Sequence, residues 1–125
     1  MAPPLQLRLG TRASNLALVQ ARLVKRLLER AHRRLGLRVE LVEITSTGDR
    51  DRRTPLKSFG AVGVFVKELE RALLDRRIDF AVHSLKDLPV KQPRSLVLAA
   101  VPRREDVRDV AVTRWVPDAL ADASG

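Results

Sequence analysis

The residues best placed to do chemistry close a single apolar run. The stretch Asp79-Phe80-Ala81-Val82-His83-Ser84-Leu85-Lys86-Asp87-Leu88-Pro89 begins as a strand and ends with Ser84, Lys86 and Asp87 crowded together. Ligands of open α/β sheets bind at the carboxyl ends of strands, so function is sought here. An aspartate beside a lysine stays ionised unless it is well buried. An ionised carboxylate can stabilise a cation or shuttle a proton. The plainer alternative is a surface ion pair in the turn before Pro89. His83 ends the apolar run directly and reads as structural. It forms no metal-ligand pattern with His32, the other histidine, so no metal site is expected.

A second candidate is the turn Thr11-Arg12-Ala13-Ser14, between a strand and the start of a helix. Free backbone N–H groups and the helix dipole favour an anion at such a point. Arg12 can add a bidentate contact to a carboxylate or phosphate. The alternative is that Ser14 only caps the helix and Arg12 is solvated. No glycine-rich dinucleotide or Walker pattern is present, which argues against a nucleotide.

These residues need elements to position them. Leu7 and Leu9 alternate with polar residues from Gln6 to Gly10, which predicts a short strand. Leu16, Val19, Leu23, Leu27 and Ala31 recur at helical spacing from Asn15 to about Leu35, and Gly36 is a plausible stop. Val39 to Ile44 reads as a second strand. Thr45 to Gly63 reads as a polar loop, with its Asp49 to Gly63 part expected to lie near the site and to be mobile. Phe65, Leu69, Ala72 and Leu73 mark a second helix ending near Arg76. Phe80 to His83 is the third strand, Leu96 to Val101 a fourth, and Val110 to Thr113 a short fifth. The order β-α-β-loop-α-β predicts a mainly parallel sheet with right-handed crossovers. The tail from Trp115 to Gly125 is small and polar and reads as an interrupted second domain.

Composition bounds the rest. The chain has 125 residues, enough for one domain or one domain and the start of another. It contains no cysteine, which excludes disulfides, thiolate metal sites and a cysteine nucleophile. No run approaches the roughly 20 apolar residues of a membrane span. The start Met1-Ala2-Pro3-Pro4-Leu5 lacks the pattern of a signal peptide, and a cytoplasmic location is expected. The net charge is +9, from 24 Lys and Arg against 15 Asp and Glu. It fits an Arg-rich surface, a polyanionic partner or an acidic small molecule. Nucleic acid is not expected as a partner. There is no Tyr and only four Phe and Trp in total for base stacking, no nucleic-acid-binding motif appears, and the basic residues are scattered.

Several ordered blocks resemble one family. They are Leu9-Gly10-Thr11-Arg12-Ala13-Ser14-Asn15-Leu16-Ala17-Leu18-Val19-Gln20, Ile44-Thr45-Ser46-Thr47-Gly48-Asp49 and Gly63-Val64-Phe65-Val66-Lys67-Glu68-Leu69-Glu70. The block His83-Ser84-Leu85-Lys86-Asp87-Leu88-Pro89 and the run Arg104-Glu105-Asp106-Val107-Arg108-Asp109 complete the set. Together they resemble the N-terminal portion of hydroxymethylbilane synthase, also called porphobilinogen deaminase. The resemblance implies a periplasmic-binding-protein-like (type II) fold, a mainly parallel sheet flanked by helices. Residues 1–103 would form most of the first α/β domain, and 104–125 the truncated start of a second.

The resemblance also implies a reaction. Four porphobilinogen units condense into linear hydroxymethylbilane with loss of ammonia, in a cytoplasmic monomeric transferase of porphyrin and heme biosynthesis. Growth starts from a dipyrromethane cofactor bound through a cysteine absent from this chain. Asp87 corresponds to the catalytic carboxylate. Ser84, Lys86 and Asp87 correspond to cofactor-binding positions, and Arg12, Ser14 and Gln20 to substrate-binding ones. There are departures. Ser58 and Val62 stand where the family often has lysines, with Lys57 one residue early, and Val107 stands where the family often has a proline. The other function classes are a non-catalytic periplasmic-binding-type module for a small anionic ligand and, more distantly, a nucleic-acid binder. The short chain by itself is expected to be inactive.

Overall fold

The structure is a computed structural model and describes residues 4–45 and 60–108. Its elements are β1 (Gln6–Thr11), α1 (Asn15–Ala31), β2 (Arg38–Glu43), α2 (Gly60–Leu74) and β3 (Phe80–Ala81). Short 3-10 turns follow α1 at Arg33–Leu35 and β3 at Leu85–Asp87. The three strands form one sheet in the order β2-β1-β3, and both pairings are parallel.

Strand alternation divides the core between the two faces of this sheet. Leu7 and Leu9 of β1, Val39 and Leu41 of β2, and Phe80 and Val82 around β3 pack with Ala21, Val24 and Leu28 of α1. The neighbouring positions Val42, Ile44 and Ala81 pack with Leu69, Ala72 and Leu73 of α2 and with Ile78. A one-residue change in strand position thus changes the helix a side chain meets. The result is a small parallel sheet with α1 on one face and α2 on the other. Gly10 of β1 lies on the α2 face. A Cβ there would sit 2.2 Å from Ile78 Cδ1 and 3.1 Å from Leu69 Cδ2, so this close approach requires glycine.

Side chains complete the pairing where the strands are short. The two-residue β3 is tied to β1 by Asp79, whose carboxylate accepts from the Arg8 backbone N–H at 2.7 Å and from Arg8 Nη2 at 2.9 Å. This bidentate pair holds the Asp79 carboxyl below its ordinary value, chiefly through hydrogen bonding, and raises the Arg8 guanidinium. At the open edge of β2, the outward Val39 N–H donates to Glu29 Oε1 at 2.9 Å. Lys25 Nζ donates to the Val39 carbonyl and pairs with Glu29 at 3.3 Å. Two side chains of α1 thus occupy the backbone groups that would template another strand.

Helix ends follow local chemistry. Ser14 caps α1 by accepting from the Ala17 N–H at 3.4 Å. The helix stops at Ala31, earlier than the periodicity predicts. The remaining residues to Leu35 tighten into the 3-10 turn, and Gly36 takes the left-handed conformation at φ 63°. After α2, Arg76 adopts φ 54°, with Arg76 N–H bonded to the Leu73 carbonyl and Arg77 N–H to the Ala72 carbonyl. This is a Schellman stop with an arginine in the position that favours glycine.

Three further expectations change. α2 begins at Gly60, inside the stretch read as loop. The third strand ends at Ala81, because the chain turns through His83 and Ser84 into the 3-10 segment. Leu96 to Val101 forms no strand. A strand exists only where a neighbour takes its backbone groups, and here Val97 is 83% exposed and Val101 61% exposed. The Asp49–Phe59 part of the loop, Ser58 and the fifth strand at Val110 to Thr113 lie outside the described residues. No helix among the described residues is long and apolar enough to cross a membrane.

Candidate functional site

The strand order creates a crevice. From β1 the chain passes through α1 to β2 on one side, while β3 lies on the other side of β1 and is reached through α2 on the opposite face. The carboxyl ends of β1 and β3 therefore flank a topological switch point, the place where α/β sheets bind ligands. Arg12 follows β1 directly, and the 3-10 turn carrying Lys86 and Asp87 follows β3. α2 packs against that turn.

The first turn is built around Thr11. Its side chain is fully buried, and its hydroxyl lies 3.1 Å from the Arg12 carbonyl and 3.3 Å from the Ala17 carbonyl. Its own carbonyl accepts from Ile44 N–H at 2.8 Å. Thr11 thus joins β1, the start of α1 and the end of β2, and fixes the path on which Arg12 and Ser14 stand. The guanidinium carbon of Arg12 lies 3.6 Å from the centroid of the Phe65 ring of α2. Arg12 Nε is buried without a hydrogen-bond partner among the described residues.

The second turn joins the same place. Ser84 Oγ donates to Gln20 Oε1 at 3.1 Å, linking the loop after β3 to α1. This bond uses the Gln20 carbonyl oxygen and leaves its NH2 group as a donor. Asp87 N–H closes the 3-10 turn on the Ser84 carbonyl at 2.9 Å. Asp87 is half-buried and Lys86 exposed. Among the described residues Arg12, Lys86 and Asp87 form no ion pair. The plainer reading of Lys86 and Asp87 as a pair is therefore not what the fold adopts.

His83 reports on the whole cluster. Burial lowers its imidazole pKa, the Asp87 charge opposes that shift, and the Arg12 charge adds to it. One half-buried ring thus feels the end of β1 and the 3-10 turn together. The structure brings Arg12, Gln20, Ser84 and Asp87 to one crevice. Ser14 stands at its α1 side, occupied as a helix cap but with its hydroxyl hydrogen free to donate. Two surface depressions, one along α2 at Lys67, Glu68 and Arg71 and one near Glu29, Arg33 and Arg38, contain none of these residues. Sequence reasoning passed over Thr11 and Phe65. Thr11 carried no signal beyond its place before Arg12. Phe65 read only as an apolar helix position.

Comparison with known proteins places the chain in a family. Residues 7–124 match the family model described as porphobilinogen deaminase, dipyromethane cofactor binding domain. The porphobilinogen deaminase of Sorangium cellulosum is 50% identical over 111 residues, which cover 89% of this chain and 36% of that protein. That of Acidithiobacillus ferrooxidans is 47% identical over 123 residues, 97% of this chain and 40% of the relative. That of Syntrophotalea carbinolica is 53% identical over 107 residues, 86% of this chain and 33% of the relative. The chain thus spans between 33% and 40% of the length of these relatives. A family-model match over nearly the whole chain makes it a member of the porphobilinogen deaminase family.

Proposed function

We propose that this chain supplies one wall of the cleft of a hydroxymethylbilane synthase, a transferase condensing four porphobilinogen units into linear hydroxymethylbilane with release of ammonia. Residues 1–103 are then most of its first domain, of periplasmic-binding-protein type II architecture, and 104–125 the start of the second. The complete enzyme is proposed to be a cytoplasmic monomer, with porphobilinogen as its small-molecule partner and neither nucleic acid nor membrane.

The observation that carries the reading is the unpaired charge at the switch point. Arg12, Lys86 and Asp87 lack ion-pair partners among the described residues, and the Gln20 NH2 group and the Ser14 hydroxyl hydrogen are available donors nearby. That donor set suits dipyrromethane and porphobilinogen, whose rings carry acetate and propionate groups and a pyrrole N–H. Ser84 and Lys86 would hold cofactor carboxylates. Asp87 would accept pyrrole N–H groups. Arg12, Ser14 and Gln20 would hold substrate carboxylates. When bound, the cofactor supplies the primer from which the product grows. It attaches through a cysteine, and this chain has none. Asp87 stabilises the delocalised cation left when ammonia departs, because a fixed carboxylate in a partly enclosed site needs no reorganisation to do so.

The test is Asp87→Asn in the complete enzyme. The substitution keeps the side-chain volume and removes the charge. Turnover is expected to fall on the order of 100-fold or more, with the thermal transition retained. Near-normal turnover would remove Asp87 from the mechanism.

A further inference from the structure

Arg12 is held by an aromatic face and by no acid. Its guanidinium carbon stands 3.6 Å from the Phe65 centroid, close enough for a strong cation–π contact. Its Nε is turned inward with no acceptor among the described residues, which leaves the terminal Nη groups as its available donors. Asp87 belongs to the same neighbourhood, because the helix that carries Phe65 packs against the 3-10 turn Leu85–Asp87. Yet the two opposite charges do not pair.

Phe65 has a fixed base from which to act. It is half-buried on α2, and Leu69 and Ala72, one and two turns further along the same face, are buried in the core. The ring therefore reaches Arg12 from α2, just beyond the carboxyl end of β1. A planar guanidinium stacked on a ring keeps its in-plane N–H groups free for a carboxylate. A ring also gives the cation an attraction that competes with collapse onto a neighbouring carboxylate.

We infer that Phe65 is a positioning residue: its ring holds Arg12 away from Asp87, so that the cation presents its terminal N–H fork to an incoming carboxylate. The inference deepens the reading of Arg12 as a carboxylate-binding group and rests on it.

The experiment uses the 125-residue chain, with the Arg12 Nε–H resonance assigned by Arg12→Lys. In the wild type this proton is expected upfield, shifted by the Phe65 ring current. Phe65→Leu should abolish the shift and weaken binding of glutarate, a dicarboxylate without an amine, by about three- to thirty-fold. Phe65→Trp should keep both the shift and the affinity. Adding Asp87→Asn to Phe65→Leu should recover glutarate affinity, because the competing carboxylate is gone. A residue that merely filled space would give no such rescue. An unshifted Arg12 proton in the wild type, unchanged affinity in Phe65→Leu, or failure of the rescue overturns the inference. Should Phe65→Leu not fold, the wild-type shift and Phe65→Trp decide. A chain that binds glutarate but not porphobilinogen defeats the functional reading and leaves the role of Phe65 standing.

Discussion

Asp87, His83 and Arg12 show how a few side chains share one electrostatic environment. His83 is pushed toward its neutral form first by burial, and Arg12 acts in the same direction while Asp87 opposes both. We expect its NMR titration midpoint below the ordinary value of about 6.5. Asp87→Asn should lower that midpoint further, and Arg12→Gln should raise it. The linkage sign follows. Between the unfolded and folded values the unfolded chain binds the extra proton. The stabilisation from a neutral His83 is therefore complete above about 6.5 and is lost as pH falls through the folded value. His83→Gln should flatten that part of the stability profile. A midpoint at or above the ordinary value would show that the ring is not enclosed by the cluster. Asp79 behaves alike at lower pH. Its depressed carboxyl contributes stability above the unfolded carboxylate range, lost as pH falls through its folded value.

Among the elements, β1 approaches α2 and the segment after it closely at Gly10. Gly10 sits beneath Ile78 and Leu69, and an added methyl group would meet Ile78 Cδ1 first. Ile78 is buried, so its terminal methyl cannot swing into solvent. Gly10→Ala is expected to destabilise the fold by about 1–3 kcal/mol, the usual cost of overpacking. Ile78→Val removes the clashing methyl. The double variant should therefore cost less than the sum of the two single changes, as measured by chemical denaturation. Strict additivity would show that Gly10 and Ile78 do not meet as described. The displacement matters for function, because α2 carries Phe65 and packs against the turn bearing Asp87.

For the whole molecule, charge and incompleteness set the behaviour. The net charge of +9 matches the polycarboxylate product that the proposed reaction builds. This chain has no cysteine to hold dipyrromethane and corresponds to 33–40% of its relatives' length. We expect it to consume no porphobilinogen under conditions in which a complete relative does. Weak binding of carboxylated pyrroles should persist through Arg12, Ser14 and Lys86, and should decline as salt rises. Turnover by the 125-residue chain would require a mechanism without the cysteine-linked cofactor.

The sequence by itself determined the class of fold and the family. Strand alternation in Leu7 and Leu9, the Ser14 cap and the Gly36 stop are local signals, written in adjacent residues, and β1, the start of α1 and the turn at Gly36 formed where they pointed, though α1 itself ended at Ala31. The family blocks are equally local. Tertiary structure decided what depends on partners. Helix α1 is apolar around much of its circumference, and periodicity drew attention to Leu16, Val19 and Leu27. The sheet instead took Ala21, Val24 and Leu28, leaving Leu16 62% and Val19 59% exposed. That choice also brings Lys25 and Glu29 to the edge of β2. Leu96 to Val101 has the composition of a strand but not its structure, because a strand is a property of two chains of backbone groups. The contact of Phe65 with Arg12 joins residues far apart in sequence, one on α2 and one just after β1. No spacing rule encodes it, since the right-hand side of that pairing is chosen only when α2 packs.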